Sequence, residues 1–309
     1  MAHARTIASL DGRLEMEPRA SNAGVAAIRR FWRSAPLGVG SAVFLVFMGL
    51  IAILAPWLAP YSPLETDYLA TQAPPTAAHL LGTDHLGRDV LSRIMYGTRV
   101  TLTVSLASVG LGAALGMIWG IASGYTGHRF DMVSQRLVEV LMSFPTLILA
   151  MLLLVSLGAG LLTVVIAIGI SQVPLATRIT RSVVLATKEM SYVEAARCVG
   201  ASPSRIMTRH IAVQCVAPLL VIATVNLGAA IFAEASLSFL GVGVPPPTPS
   251  WGNMLGGVLA QSFDPPWWLV IFPGLAIATT IMAANLFGDG LRDFLDPKTG
   301  SWGAGSRGV

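Results

Sequence analysis

The sequence predicts an all-α integral membrane protein with six transmembrane helices. Of the 309 residues, 54% are apolar and only 12% are charged, and the mean hydropathy is +0.68. Soluble globular proteins carry about 25% charged residues, so this chain lacks the polar side chains that a solvated surface requires. The same composition excludes intrinsically disordered and collagen-like proteins.

Long stretches without a charged residue locate the spans. A hydrocarbon core about 30 Å thick is crossed by roughly 20 apolar helical residues. The stretch from Val140 to Thr177 is long enough for two short helices, with a turn at Gly158 to Gly160. The predicted spans are residues 36–58, 99–123, 134–157, 161–177, 212–235 and 267–288.

The distribution of Lys and Arg predicts the orientation. Six spans place both termini on one side of the membrane, and cytoplasmic loops are enriched in cations. With both termini in the cytoplasm, the cations on the external side are limited to Arg88, Arg93 and Arg99 out of 20 Lys and Arg residues. This bias explains the net charge of +4 without a nucleic-acid partner.

The chain divides into four predicted regions. Residues 1–35 form a cytoplasmic tail that ends either in a short interfacial helix or in a frayed basic segment. Residues 36–97 comprise the first transmembrane helix and an external segment. Residues 98–290 form a five-helix core that includes a loop at 178–210, and residues 291–309 form a cytoplasmic tail.

The loop at residues 178–210, which we call the EAA segment, predicts two helices joined by a sharp turn. Glu194 lies in a helix-forming stretch that Gly200 ends, and Ser202 followed by Pro203 is typical of a helix N-terminus. Such a protruding helical hairpin is suited to a groove on another protein. The alternative is a solvated basic loop that only sets the topology.

The EAA segment resembles the cytoplasmic EAA loop of ABC importer permeases. The residues that match the motif are Glu194, Ala195, Ala196, Gly200 and Ile211. In that family the loop forms a coupling helix that docks onto the ATPase subunit. The family usually has a proline two residues after the isoleucine, where this chain has Val213.

Three further segments indicate which group of ABC importer permeases the chain resembles. They begin with LGTDHLGRD at 81–89, EASLSFLGVG at 234–243 and NLFGDGLRD at 285–293. Over roughly residues 25–298, the chain resembles the C-type permease of dipeptide, oligopeptide and nickel importers of the bacterial inner membrane. That resemblance implies a type I importer fold, a paralogous B-type permease, two ATPase subunits or domains, and an external substrate-binding protein. Peptides are the implied substrate, with nickel chelates and glutathione as alternatives.

The LGTDHLGRD segment has two interpretations. It can be an external turn, in which Thr83 or Asp84 caps the next helix. It can also contact the substrate-delivering protein through Asp84, Arg88 and Asp89.

Polar and small residues inside the spans are further candidates. Glu234 and Asn226 are candidates for the pathway or its external mouth, although Glu234 can instead cap nearby backbone and Asn226 can bond between helices. Glycines recur every four residues in the second span, which allows close helix packing. They are Gly112, Gly116, Gly120 and Gly124, and they face either another helix of this chain or a second permease subunit.

Catalytic motifs are absent from the sequence. A P-loop requires a Gly-Lys-Ser/Thr motif, and the two lysines, Lys188 and Lys298, lie in other contexts. We therefore expect a non-catalytic subunit with no cofactor of its own, with ATP and Mg²⁺ on the partner ATPases. The rival hypotheses are a self-contained secondary transporter or channel, which would show charged spans or repeats, and a structural membrane subunit.

Overall fold

The computed structural model describes residues 35–260 and 263–295, and their regular secondary structure is helical. The helices in these ranges are α1 Pro36–Leu58, α2 Val90–Thr126, α3 His128–Ser143, α4 Thr146–Leu157, α5 Leu161–Thr187, α6 Ser191–Cys198, α7 Pro203–Phe239, α8 Trp251–Leu259 and α9 Trp267–Leu295. The predicted interfacial helix before residue 35 and most of the tail after residue 290 lie outside the described residues.

Five helices, α1, α2, α5, α7 and α9, are long and apolar enough to cross a membrane. The first span matches its prediction from Pro36 to Leu58. The others extend beyond the predicted ends, because charge-free stretches identify only the part of a helix in hydrocarbon. α5, for example, continues through Arg178 and Arg181 to Thr187.

The third span is not the single helix predicted over residues 134–157. It is a pair of helices, α3 and α4, whose axes differ by 95°. Phe144 and Pro145 between them have extended backbone angles. A proline disfavours the helical conformation of the residue before it and cannot donate a backbone hydrogen bond. A proline inside a span predicts only a kink, whereas the structure shows a complete break at Pro145.

The helices pack around α2, which contacts α1, α5 and α7, while α9 packs against α1 and α7. The main core contains Val104 from α2, Leu154 from α4, Ile168 from α5 and Leu237 from α7. These side chains are at most 8% exposed. The arrangement places the EAA segment at one end of α5 and α7.

Candidate functional site

The EAA segment begins as the last turns of α5, which runs to Thr187, and continues as the short helix α6, a tight turn and the start of α7. The sequence predicted a loop from residue 178, and the structure corrects this because α5 extends past the charge-free stretch. The motif residues Glu194, Ala195 and Ala196 lie on α6. Gly200 follows with a φ of +80°. Its N–H donates to the Arg197 carbonyl oxygen at 2.9 Å, and the Ala201 N–H donates to the Ala196 carbonyl oxygen at 3.0 Å. These two bonds form the Schellman arrangement that ends a helix at a left-handed residue, as the sequence predicts.

The second helix of the hairpin also begins as predicted. Ser202 Oγ accepts a hydrogen bond from the Arg205 N–H at 3.4 Å, and Pro203 occupies the first helical position. The sequence did not predict the next feature, a π-helical stretch over Met207–Ile211. Such stretches interrupt the regular helical hydrogen-bond pattern and are frequent at functional sites.

The inner face of the hairpin is anchored in a core of its own. Val193, Ile206 and Ile211 are at most 1% exposed and cluster with Val184 of α5 and Cys215 of α7. Ile211, a motif residue, is therefore a packing residue. This cluster packs α6 against both α5 and α7.

The outer face of the hairpin is exposed, and it carries small and apolar side chains beside the charged Glu194 and Arg197. Glu194, Ala195 and Cys198 are exposed, and Val199 at the tip is 86% exposed. Small residues allow a partner backbone to approach closely, and an exposed apolar tip gains free energy when it is covered. This face is the part of the EAA segment that is available to a partner.

A polar network at the beginning of the EAA segment, where the segment is still part of α5, joins three helices. Asp131 of α3 accepts two hydrogen bonds from Arg181 of α5, at 2.6 Å from Nε and 2.5 Å from Nη2. Ser123 of α2 donates to the same carboxylate at 2.5 Å. Nearby, the Arg197 guanidinium of α6 lies 5.9 Å from the centre of the Tyr125 ring. Sequence reasoning missed this network, because Asp131 and Arg181 are far apart in the chain.

The LGTDHLGRD segment is a compact turn built around Asp84. Its carboxylate accepts bonds from the Leu86 N–H at 2.8 Å, the Arg88 N–H at 3.0 Å and Arg88 Nε at 2.7 Å. Asp84 is only 6% exposed. Partial burial lowers the pKa of the adjacent His85 imidazole, with Asp84 acting in the opposite direction, which favours the neutral ring.

The cap of α2 is Asp89, and the prediction that Thr83 or Asp84 caps this helix is wrong. Asp89 Oδ2 accepts bonds from the Ser92 N–H and Oγ, each at 2.8 Å. Its Oδ1 lies 3.0 Å from His79 Nδ1. The α2 helix begins only after Asp89. The Asp84 side chain bonds within the turn instead, whereas Thr83 Oγ1 donates to the Ala70 carbonyl oxygen and accepts from the Ala73 N–H at 2.9 Å.

The three residues of this turn that were predicted to contact a partner are largely inaccessible. Asp84 and Asp89 are buried, and the Arg88 side chain is 12% exposed. Leu86, at 36% exposure, is the more accessible side chain of this turn. The geometry favours the structural interpretation, and contact with a substrate-delivering protein through these three residues stays a prediction.

Replacement of Asp89 by alanine is expected to lower the free energy of unfolding by about 1–2 kcal/mol, because α2 loses its N-terminal cap. Thermal unfolding of the purified protein in detergent would measure this loss. Asp67→Ala is the matched control, since Asp67 caps only a short exposed 3₁₀ turn through the Leu69 N–H. Equal melting temperatures for the two variants would contradict the assignment.

Glu234 lies inside the packed core. It is 0% exposed, and its carboxylate accepts bonds from Thr101 Oγ1 at 2.9 Å and Ser238 Oγ at 2.8 Å. Both partners belong to this chain. This enclosure favours a role in holding α2 and α7 together over a place at the mouth of a pathway.

Asn226, by contrast, lines a cavity of about 220 Å³ between the α3–α4 bend, α5 and α7. Gln172 of α5 lines the same cavity. The structure therefore separates the two pathway candidates, bringing Asn226 to an open space and leaving Glu234 out of it. The signal for Gln172 was present in the sequence, as another polar residue within a span.

The four glycines of α2 that recur every four residues, Gly112 to Gly124, all face α5. A Cβ atom at Gly112 would lie 2.8 Å from the Gly169 carbonyl oxygen, and one at Gly120 would lie 2.7 Å from the Thr177 carbonyl oxygen. Gly116 and Gly124 make equally close approaches further along α5. This face is occupied within the chain, which favours internal packing over contact with a second permease.

Comparison with known families identifies the chain's relatives. Residues 113–301 match the family described as the binding-protein-dependent transport system inner membrane component. Residues 25–75 match the N-terminal TM domain of oligopeptide transport permease C. Together these matches include the EAA segment, most of the glycine face of α2 and the first span.

Individual relatives are similar over most of their length. A putative peptide transport system permease protein of Brucella suis is 43% identical over 89% of this chain and 92% of its own length. A di/tripeptide transport system permease protein of Pseudomonas aeruginosa is 42% identical over 88% and 92%. A glutathione transport system permease protein of Escherichia coli is 40% identical over 87% and 89%.

These matches confirm the resemblance that the motifs indicated. The described residues contain no group of three or more His, Cys, Asp or Glu that could hold a metal ion. The chain belongs to the binding-protein-dependent inner-membrane components of ABC importers, as a multi-pass, non-catalytic permease subunit of the oligopeptide permease C type.

Proposed function

We propose that this chain forms, with a paralogous B-type permease, the translocation pathway of an ATP-driven importer of di- and oligopeptides. An external binding protein delivers the peptide, and two ATPase subunits or domains dock on the cytoplasmic side. Peptides are supported by the relatives, whose names specify peptides, di/tripeptides and glutathione. Glutathione also contains amide bonds, so it is the second candidate substrate.

The observation that carries the proposal is the two-faced EAA hairpin. Its inner face is anchored through Val193 to α5 and α7, and its outer face around Ala195 and Val199 is open. An ATPase that closes on ATP can displace this hairpin as a unit and move the spans attached to it. ATP must bind better to one transporter conformation than to the other for this to drive transport.

The proposed division of the chain follows from this role. Residues 1–35 and 291–309 are cytoplasmic tails, residues 36–97 supply the first span with its external segment, and residues 98–290 form the five-helix core. α9 continues to Leu295, so the last span enters the region assigned to the C-terminal tail.

Affinity purification from native membranes tests the assembly. A tagged chain solubilised in mild detergent should carry a second permease and P-loop ATPases. Reconstituted uptake of a dipeptide should then require ATP and the ATPases. A chain recovered alone that transports dipeptides in liposomes without ATPases would contradict the proposal and support a secondary transporter.

The native cysteines test the orientation with both termini in the cytoplasm. Cys198 is exposed on the outer face of α6 and Cys215 is buried. A membrane-impermeant maleimide should label Cys198 in inside-out vesicles and leave it unlabelled in right-side-out vesicles. Bound ATPases should slow the reaction, because they cover this face.

A variant with Cys198→Ser and Leu69→Cys is the matched control. Leu69 is fully exposed in the segment between α1 and α2, so this variant should label only in right-side-out vesicles. Labelling of Cys198 from the external side would reverse the proposed orientation.

A further inference from the structure

The cavity between the α3–α4 bend, α5 and α7 combines interrupted backbone with neutral polar side chains. Its lining includes Phe144, Thr146, Ser171, Gln172, Pro174 and Asn226. None of the described residues that line it is charged. One wall is the break between α3 and α4, and another carries Pro174, a proline inside the continuous helix α5.

The bend between α3 and α4 requires water or protein beside it. Phe144 and Pro145 are non-helical, and both are exposed on this chain. Non-helical backbone at membrane depth is tolerated only where protein buries it or where it borders a water-filled space. This chain does not bury the bend, so its exposed side belongs to a protein-lined or aqueous region and not to lipid.

The opposite wall presents unused hydrogen-bonding groups. Pro174 has no N–H and so frees a carbonyl oxygen one turn earlier on α5. The side-chain amides of Gln172 and Asn226 bond to no other residue in ranges 35–260 and 263–295. Polar groups inside a membrane protein are normally paired, which leaves water or a ligand as the partner of these amides.

We propose that this cavity is the part of the peptide pathway supplied by this chain, and that Gln172 and Asn226 hydrogen-bond the peptide groups of the passing substrate. The inference rests on the proposed function. A carboxamide offers two donors and one acceptor oxygen, which complement the C=O and N–H of a peptide bond. With no charged side chain in the lining, the cavity accepts peptides of either charge and does not select among them.

A change of charge at Asn226 tests the proposal in the complete transporter reconstituted in proteoliposomes. Asn226→Asp and Asn226→Lys are compared for uptake of alanyl-lysine and alanyl-glutamate. The ratio of alanyl-lysine to alanyl-glutamate uptake should be about tenfold higher for Asn226→Asp than for Asn226→Lys, because opposite charges in a partly dehydrated site attract. Wild type should lie between them.

The outcomes separate this inference from the function on which it rests. A wild-type transporter that imports both dipeptides, with ratios unchanged in the two variants, would overturn the cavity assignment alone. A wild-type transporter that imports neither dipeptide would overturn both proposals. Loss of function alone could come from misfolding, but opposite changes in selectivity could not.

Cysteine accessibility gives a second measurement that needs no altered charge. Asn226→Cys, in a chain with Cys198→Ser and Cys215→Ser, should react with a charged methanethiosulfonate in the assembled transporter, and alanyl-alanine should slow the reaction. Ala230→Cys, at a buried position on the same helix, should remain unreactive. An unreactive Asn226→Cys in a transporter that still imports alanyl-alanine would mean that another subunit or lipid covers the cavity, and would overturn the proposal.

Discussion

Replacement of Gly200 by isoleucine is expected to abolish peptide uptake and to uncouple ATP hydrolysis from it, while the chain still inserts into the membrane. Gly200 has a φ of +80°, which β-branched residues adopt only at a cost of about 1–3 kcal/mol. The Schellman turn would open, and α6 would lose its orientation relative to α7. Uptake and peptide-stimulated ATPase activity in proteoliposomes measure the effect.

The cause of this effect is the backbone conformation and not a lack of space. A Cβ atom at Gly200 would meet nothing within 4 Å, so the substituted side chain does not itself clash with the buried cluster of Val193 and Ile211. Asparagine tolerates the left-handed region, and Gly200→Asn is therefore expected to retain most of the uptake. Wild-type uptake by Gly200→Ile would disprove the coupling role of this turn.

Substitution of Gly127 is a control for the effect of backbone strain at a position outside the EAA hairpin. Gly127 joins α2 to α3 with a φ of +67°, and a Cβ atom at this position would also meet nothing within 4 Å. Its ψ of −155° lies in a region that only glycine adopts readily, so Gly127→Ile should cost at least as much conformational energy at a site outside the EAA hairpin. We expect it to lower stability but to leave ATP hydrolysis coupled to uptake.

Replacement of Gly116 by leucine is expected to prevent accumulation of a folded chain. A Cβ atom there would clash with Ala176 Cβ and would lie 2.9 Å from the Thr177 backbone nitrogen and 3.0 Å from the Val173 carbonyl oxygen. Two of these three neighbours are backbone atoms, which cannot rotate away. The α2 and α5 helices would have to separate, at a cost of about 3 kcal/mol from overpacking.

Gly110→Leu is the control on the same helix. A Cβ atom at Gly110 meets nothing within 4 Å, and this position lies outside the glycine face that packs on α5. Yield in the membrane fraction, size-exclusion profile in detergent and melting temperature compare the two variants. A Gly116→Leu protein as abundant and stable as Gly110→Leu would show that the packing of α2 on α5 is looser than the structure indicates.

Local signals in the sequence identified the turn at Gly200 and the start of α7 because these features depend on neighbouring residues. The role of Asp89 was missed for a different reason. Thr83, Asp84 and Asp89 are all capable caps, and which one acts depends on where α2 begins. In the structure Asp89 caps the helix and also pairs with His79, a contact that no local pattern contains.

The two candidate pathway residues also show that local sequence patterns do not reveal contacts between distant segments. Asn226 and Glu234 are both polar residues in one apolar helix, and sequence alone treats them alike. Thr101 and Ser238 enclose Glu234, whereas the break at Pro145 opens a space beside Asn226. Burial separates the two, and burial is a property of the packed helices.

The sequence by itself determined the membrane class, the approximate spans, the family and the helical hairpin of the EAA segment. Each of these depends on composition, on local conformational preference or on motifs in order along the chain. Tertiary structure alone decided that α3 and α4 form a broken span, that α5 covers the glycines of α2, and that Arg181 pairs with Asp131. These features depend on which distant surfaces meet, because steric fit and hydrogen bonding act between neighbours in space.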